Sequence, residues 1–298
     1  MENKIFLLIW LLLVILHPSC VKDLPIDPAV GGEVVVNCIL TSDTIQTASV
    51  TRSVPIDESF IFREVKDAEV ELLAEGESVG YFEKTGYDHW ELNYRPVGGT
   101  SYQLVVTVPD EPEITAATIM PYYNDVRRDQ ARDTYPTKNF IQYSGQSPFW
   151  MYALSADSEI ENYQKPGPGV TLKSGIGTDH PNADRFNQEG NLLDILPTAT
   201  TPAFEYYIRV DSISPIDENG IPFQLQTNYG QYNFVVIRTA STEYDQYLKS
   251  SLQKMESYTD EEDPGQWFDE RRIYSNVNNG TGIFAACADI YFFYHDPN

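Results

Sequence analysis

The chain has 298 residues, 44 acidic against 20 basic side chains, and a formal net charge of −24. An acidic body of this kind excludes nucleic-acid binding through phosphate neutralisation, because like charges repel. The 20 tyrosines and 14 phenylalanines argue against disorder and favour a packed, β-rich fold, since aromatic side chains bury large areas and suit strands.

The first predicted element is an unbroken apolar run, IFLLIWLLLVIL, which covers residues 5–16 and follows a polar start that carries Lys4. A helix that spans a bilayer needs about 20 apolar residues, so this run is too short to be one. Its length, the cation before it and the small Ser19 after it are typical of a secretory signal. We therefore expect residues 1–19 to be a signal peptide.

An apolar run that ends at Ser-Cys resembles the signal of bacterial lipoproteins. The resemblance implies that Cys20 carries the lipid and that residues 20–32 form a lipidated tether. The sequence departs from that family's pattern at His17, where a leucine is usual. An ordinary cleaved signal and an uncleaved anchor are the alternatives.

Two charged residues, Lys22 and Asp23, follow the cysteine closely. A lysine followed by acidic residues resembles the export signal of Bacteroidetes surface lipoproteins. The resemblance implies a protein that is held in the outer membrane by its N-terminal lipid and faces the cell surface. A charged spacer with no export role is the alternative, so the leaflet stays open.

Between residues 33 and 121, several short segments alternate apolar and polar side chains, as half-buried strands do. Glycine and proline separate these segments, so the spacing predicts an antiparallel β-sandwich. The side chains expected to face its interior are Val34, Val36, Cys38, Leu40, Ala68, Val70, Leu72, Trp90, Leu92, Tyr94, Tyr102, Leu104 and Val106. The order DAEVEL, LNY, GTSYQLVV resembles the transthyretin-like or carboxypeptidase-regulatory sandwich, which implies a fold and no activity.

Residues 122–298 are expected to form a second β-rich domain that carries one amphipathic helix. SPFWMYALSAD, FEYYIRVDSIS and YNFVVIRTA predict strands, and a long strand follows the Asn-Asn-Gly turn near the C-terminus. YYNDVRRDQARDTYPTKN predicts a solvated loop or a frayed helical turn, and residues 163–191 predict a long loop. Apolar side chains recur at helical spacing near 241–256, where Ser241 or Thr242 can cap the helix.

Three further segments carry a family resemblance that spans nearly the whole chain after the signal. YSNVNNGTGIFAA, the helix after VVIRTASTEYDQYL, and DAEVELL with GTSYQLVV and ITAATIMP resemble the Bacteroidetes lipoproteins grouped as domain of unknown function 4249. Members are commonly found beside outer-membrane receptors of the TonB-dependent class. The resemblance therefore implies an accessory protein with such a receptor as its partner, and it carries over no catalytic residues.

The motifs that mark common enzymes are absent from this sequence. Neither HExxH nor GxSxG occurs, so we expect no catalytic residues and no cofactor. Oxygen ligands do cluster in DHPNADRFNQE, where Asp179, Asp184 and Glu189 form a candidate calcium site. The glycine-centred spacing of an EF-hand is missing there, and a plain polar loop is the alternative.

Two tryptophans are candidate platforms for a glycan, because an exposed indole is flat and apolar. These are Trp267, beside an acidic Pro-Gly loop, and Trp150. A peptide is the other candidate ligand.

Two cysteines remain once Cys20 is assigned to the lipid. Cys38 and Cys287 each lie in an apolar, strand-like segment, and the predicted boundary puts them in different domains. A buried free cysteine behaves as a small apolar side chain. We expect two free thiols, and a disulfide formed in an oxidising compartment is the alternative.

These observations together favour a lipid-anchored, mainly β protein that acts as a non-catalytic binding or accessory module. The first alternative is a fimbrial or adhesin-type subunit, which would exchange its terminal strand ADIYFFY between copies. The second is a secreted hydrolase, which would need a cleft with two close carboxylates.

Overall fold

In the computed structural model of this chain, the described residues are 32–54, 62–122, 125–130, 139–144, 148–156, 171–178, 183–184, 203–205, 207–210, 221–226, 232–257 and 272–295. These ranges contain nineteen strands and one helix, so the described fold is mainly β, as the alternation predicts. None of the helical residues in these ranges forms a helix long and apolar enough to cross a bilayer.

The strands of the N-terminal region are β1 (Val34–Leu40), β2 (Ile45–Ser53), β3 (Phe62–Glu64), β4 (Glu69–Ala74), β5 (Glu77–Tyr81), β6 (Glu83–Lys84), β7 (His89–Asn93), β8 (Ser101–Thr107) and β9 (Ile114–Ile119). They are followed by β10 (Asp125–Gln130), β11 (Asn139–Ser144), β12 (Phe149–Ala156), β13 (Thr171–Thr178), β14 (Ala183–Asp184), β15 (Ala203–Glu205), β16 (Tyr207–Val210), β17 (Ile221–Gln226), β18 (Tyr232–Ala240), α1 (Thr242–Ser257) and β19 (Thr281–His295).

A sandwich of two sheets forms the N-terminal region. One sheet runs in the order β5-β4-β8-β9, and the facing sheet includes β19-β1-β2-β7-β6. The predicted inward faces are confirmed, because alternate side chains of β1, β4, β7 and β8 enter one shared apolar core. Its largest fully buried members are Trp90, Tyr102, Phe284, Leu40, Leu72, Leu104, Ile114 and Met120. The finer likeness to a transthyretin-type sandwich stays a prediction.

The last strand, β19, joins this sandwich to the rest of the chain. Its first half pairs parallel to β1, from Thr281 beside Val35 to Ala286 beside Leu40. Its second half pairs antiparallel to β18, from Cys287 to His295. The sheet is therefore continuous across the predicted boundary between residues 121 and 122.

Helix α1 begins and ends within two residues of the predicted 241–256. Of the two predicted caps, Ser241 is the one used, since its hydroxyl accepts the Tyr244 N–H at 3.3 Å. The apolar stripe of α1 packs on the face of β19 that carries Ile283, Ala285 and Cys287. The sandwich core occupies the opposite face of the same strand.

Two loop predictions were wrong. Residues 125–130 form β10, which pairs with β11 from Asp125 beside Ser144 to Gln130 beside Asn139. A charged sequence can form a strand here because β10 is the last strand at one end of the sheet, and edge strands tolerate charge. Within 163–191, β13 and β14 are strands, and β13 pairs with β12, β15 and β17.

Cys38 and Cys287 are both buried and both free, which confirms the prediction of two free thiols. The reason differs from the expected one. Cys38 lies in the sandwich core and Cys287 lies under α1, so the two thiols occupy opposite faces of one continuous sheet. Burial raises the pKa of each thiol to about 12.

Candidate functional site

An open pocket of about 320 Å³ lies at the edge of the sandwich. It is lined by Ile45, Tyr81, Glu83, Thr85, Glu91, Leu92 and Asn93. Its polar and apolar groups come from four strands and the turn after β6, so the sandwich framework holds them in place.

Strand pairing brings the polar lining residues together. Glu83 of β6 lies directly opposite Glu91 of β7, and Asn93 of β7 lies directly opposite Ile45 of β2. Directly opposed residues project from the same face of a sheet. Trp90 and Leu92, which alternate with these residues, are buried, so the polar side chains point away from the sandwich core.

Tyr81 reaches the pocket because β5 is irregular beside it. Leu72 pairs with Gly80 and Leu73 with Ser78, so Val79 is an extra residue and forms a β-bulge. Gly80 has φ of +148°, and a Cβ there would stand 3.0 Å from Leu92 Cδ1. Glycine thus permits the close approach that places Tyr81 beside Leu92.

The Tyr81 ring is half-exposed at 52%. Glu71 lies directly opposite on β4, and its carboxylate, within hydrogen-bonding reach of the Tyr81 hydroxyl, raises the pKa of that tyrosine. An exposed aromatic ring therefore borders the pocket. This arrangement is a preformed apolar surface with polar groups around it.

The pocket carries negative charge. Like charges that oppose each other across strands repel, and Glu83 and Glu91 do so here. His89 Nε2 lies 3.2 Å from Glu91 Oε1. Lys84 does not serve the pocket, because its Nζ donates to Glu64 Oε1 at 2.7 Å and lies 4.8 Å from the centre of the Trp90 ring.

The lining residues offer hydrogen-bonding groups and an aromatic ring to a ligand, and two of them, Glu83 and Glu91, are opposed carboxylates. The seven lining residues include no histidine, serine or cysteine, so they supply no nucleophile paired with a histidine base. Among the residues that the structure describes, no group of three His, Cys, Asp or Glu side chains could hold a metal ion. The pocket can orient a ligand by stacking and hydrogen bonds.

Most site residues predicted from sequence lie outside the described residues. These are Cys20, Lys22, Asp23, Asp179, Glu189 and Trp267. The backbone of Asp184 belongs to β14, but its side chain is also outside the described set.

Trp150 is not at the surface. Its side chain is buried at 3% exposure, its Nε1 donates to Asp245 Oδ1 at 3.0 Å, and its ring packs against Tyr207. The alternation of β12 turns it toward α1, so this indole offers no platform to a ligand.

Asp245 belongs to a buried ion pair that attaches α1 to the strands. The Arg209 guanidinium of β16 donates to both oxygens of Asp245, at 2.6 and 2.8 Å. Both side chains are buried and each is hydrogen-bonded by the other. This pair holds the helix and presents no free group to a ligand.

A second, half-buried ion pair joins β18 to β19 directly across the ladder and contacts the same helix. Arg238 of β18 donates to both oxygens of Asp289, at 2.8 and 2.7 Å, and to the Tyr244 hydroxyl at 2.8 Å. Burial raises the pKa of Tyr244 to about 12, so its hydroxyl stays protonated at neutral pH. The second pair is likewise satisfied within the protein.

Sequence reasoning missed the pocket residues Tyr81, Glu83 and Glu91. One signal was present, because Gly80 interrupts an otherwise strand-like ESVGY, and an isolated glycine in a strand marks a bulge or a close approach. Which strand would lie across from it could not be read locally.

The fold and the site define a β-sandwich protein with an open, preformed pocket. The family described as Domain of unknown function (DUF4249) matches residues 22–289, and the chain belongs to that family. No match to a curated protein was found. The family's description names no activity, so function is argued from the geometry.

Proposed function

We propose that the protein is a lipid-anchored, non-catalytic binding or accessory module of an outer membrane. In this proposal the acylated Cys20 holds the sandwich at the bilayer, and the pocket between β5 and β7 receives the ligand. Multiple acyl chains on one cysteine would anchor far more firmly than one, at about 0.8 kcal/mol for each buried methylene. The ligand is a glycan or a peptide.

The observation that carries this proposal is the separation of the pocket from Gly32, where the N-terminal segment joins the sandwich. Gly32 N donates to Ser53 O at 2.9 Å, and Arg52 Nη1 donates to Gly32 O at 2.6 Å. Arg52 is itself paired with Glu111. The chain that leads back toward Cys20 is therefore tied to the last residues of β2.

The pocket lies toward the other end of the same strand. Ile45, which lines it, is the first residue of β2, and the nine residues of that strand extend over about 26 Å. A body tethered at Ser53 would thus present the pocket away from the bilayer. The proposed tether of residues 20–32 adds a reach of about 40 Å when fully extended.

The proposed partner is an outer-membrane receptor of the TonB-dependent class, and the cell surface is the proposed location. Support for both comes from the family and from Lys22 and Asp23, which follow the cysteine in the order of a surface-export signal. The negative charge of the body supports a tether as the means of retention, because an anionic bilayer would repel it. The transthyretin-like identity of the sandwich belongs to the same proposal.

The proposal is tested on tagged protein produced in the native host. We expect mass spectrometry to find acyl mass at Cys20, and affinity purification from detergent-solubilised membranes to recover a β-barrel receptor. The Cys20→Ser variant is the control, which should lack the acyl mass and leave the membrane fraction. An unmodified N-terminus on the wild-type chain would refute the anchor.

The same purification separates the two alternatives from the proposal. A ladder of self-polymers would favour the fimbrial subunit, since the ADIYFFY segment would have to leave β18 and pair with another copy. Turnover of a bound ligand would favour the hydrolase.

A further inference from the structure

We infer that the pocket at β5, β6 and β7 binds a short saccharide that carries no acidic group. The inference rests on the proposed function as a binding module and names the ligand of that module. It is carried by the exposed Tyr81 ring, the polar groups that line the same pocket and the charge of the site.

The ring is the first part of the argument. A sugar ring has an apolar face of C–H groups, and an exposed aromatic side chain can stack on such a face. Tyr81 is 52% exposed and lines the pocket, and the pairing of β5 with β4 holds its backbone there. The bulge at Val79 and the glycine at position 80 position the ring, and bulges commonly re-aim side chains beside binding sites.

The polar lining is the second part. The hydroxyl groups of a sugar both donate and accept hydrogen bonds, and carboxylates and amides satisfy them in pairs. Glu83, Glu91 and Asn93 project from one face of the sheet, and the Thr85 hydroxyl adjoins them. Ile45 and Leu92 supply the remaining apolar wall.

Charge and size limit the class of saccharide. Two opposed carboxylates would repel an acidic sugar, and the net charge of −24 would strengthen that repulsion. A pocket of about 320 Å³ lies at the small end of the range for ligand pockets. It holds about one or two sugar rings, and its open mouth lets a longer chain continue outward.

A bare cation explains fewer of these features. The paired glutamates would attract one, but a cation needs neither the apolar wall of Ile45 and Leu92 nor the bulge that brings Tyr81 to the pocket. A saccharide uses the stacking surface, the apolar wall and the hydrogen-bonding groups together.

The test is calorimetric titration of the full-length chain in detergent. The neutral probes are the hexasaccharides of cellulose, starch, xylan and mannan. Hexagalacturonic acid is the acidic probe and hexalysine is the cationic probe. We expect at least one neutral probe to bind and the acidic probe not to bind.

Five variants locate the site. Tyr81→Ala should weaken saccharide binding about tenfold, and Tyr122→Ala, which removes a more exposed tyrosine at 68% from outside the pocket, should leave it unchanged. The double variant Glu83→Gln/Glu91→Gln should lower affinity, whereas the charge-matched Glu77→Gln/Glu113→Gln should not. Tyr81→Phe keeps the ring but loses the hydroxyl, so its affinity should fall between those of the wild type and Tyr81→Ala.

Several results would overturn the inference. One is binding of hexalysine alone, lost in Glu83→Gln/Glu91→Gln and unaffected by Tyr81→Ala, which would make the pocket a cation site. Another is no binding by any neutral probe to a folded chain. If a receptor co-purifies but no saccharide binds, the inference fails and the proposed function stands. If a saccharide binds but Cys20 carries no lipid, the proposed anchor fails and the saccharide inference stands.

Discussion

The two faces of β19 are covered in different ways. On one face Phe284, Ala286 and Ala288 enter the sandwich core, which is almost wholly apolar. On the other face α1 packs through its apolar stripe and is also held by polar partners. These are the buried pair Arg209–Asp245 and the hydrogen bond from Arg238, which is paired with Asp289, to Tyr244. One strand therefore stabilises a layer that is set mainly by volume and another that is set by specific partners.

The difference teaches what each interface requires of the sequence. An apolar core accepts many side chains of similar size, provided the volume is filled. A buried ion pair accepts only its own partner, because removal of one side leaves the other charge unpaired in a poor solvent. The sandwich should therefore respond to lost volume, and the helix interface should respond to lost partners.

The largest effect should come from Phe284→Ala. Phe284 is fully buried in the sandwich core, so its loss should lower the free energy of unfolding by about 3–5 kcal/mol through lost burial and a cavity. Urea denaturation measures this. Phe62→Ala is the control, since Phe62 is 47% exposed and should cost under about 1 kcal/mol. Equal losses in both variants would contradict the assignment of Phe284 to the core.

The next effect tests the helix interface. Asp245→Asn keeps the volume but leaves the buried Arg209 guanidinium without its counter-charge, so we expect a loss of about 3 kcal/mol. The double variant Arg209→Leu/Asp245→Leu should recover much of that loss, because no charge is then buried unpaired. A double-mutant cycle that gives no coupling would show that partner identity does not set this interface.

A smaller effect is expected at the start of α1. The Ser241 hydroxyl accepts both the Tyr244 N–H and the Ala286 N–H, at 3.3 and 3.2 Å, so it joins the helix to β19. Ser241→Ala should cost about 1–2 kcal/mol in thermal or urea unfolding. Thr242→Ala, at the other predicted cap, should cost less, and the opposite ranking would reverse the cap assignment.

The pH dependence of the free energy of unfolding tests the buried thiol of Cys38, on the sandwich face of the sheet. Burial raises the pKa of Cys38 from an ordinary 9.0 to about 12, so the unfolded chain releases this proton first as pH rises. The free energy of unfolding should be constant below about pH 9 and fall by about 1 kcal/mol per pH unit above it on this account. The free energy of unfolding, measured between pH 9 and 11, should therefore fall less steeply with pH in Cys38→Ala than in the wild type. Identical slopes would contradict the raised pKa.

The smallest effect should come from an ion pair near the surface. Arg52 and Glu111 pair beside Gly32, where both side chains remain over a quarter exposed. Glu111→Gln should cost under about 1 kcal/mol, because solvent screens the pair. A loss as large as that of Asp245→Asn would remove the contrast between exposed and buried pairs.

Much of the fold was predictable because its signals are local. Alternation in EVVVNCIL and TSYQLVVTV identified β1 and β8 and the faces they bury, since side chains of a strand point to opposite sides in turn. The helix was equally predictable from the 3.6-residue spacing of its apolar side chains. β10 escaped prediction because a charged edge strand carries no apolar alternation, and only its pairing with β11 defines it.

The candidate site was less predictable. Trp150 was selected for its side-chain type, but its burial depends on α1, Arg209 and Tyr207, which lie far away in sequence. Tyr81 and Glu91 became neighbours of one pocket only through pairing across separate strands. Residue type indicates what a side chain can do, whereas packing decides whether a ligand can reach it.

The sequence by itself determined a mainly β fold with an amphipathic helix near 241–256, because periodicity and apolar content act over a few residues. That Cys38 and Cys287 stay free was decided by their places on opposite faces of one sheet. Only the tertiary structure decided that β19 lies between β1 and β18, which arginine meets which aspartate, and where a bulge opens a pocket beside Tyr81. Those outcomes depend on contacts between residues distant along the chain, where the free energy of packing selects among many pairings that local pattern leaves open.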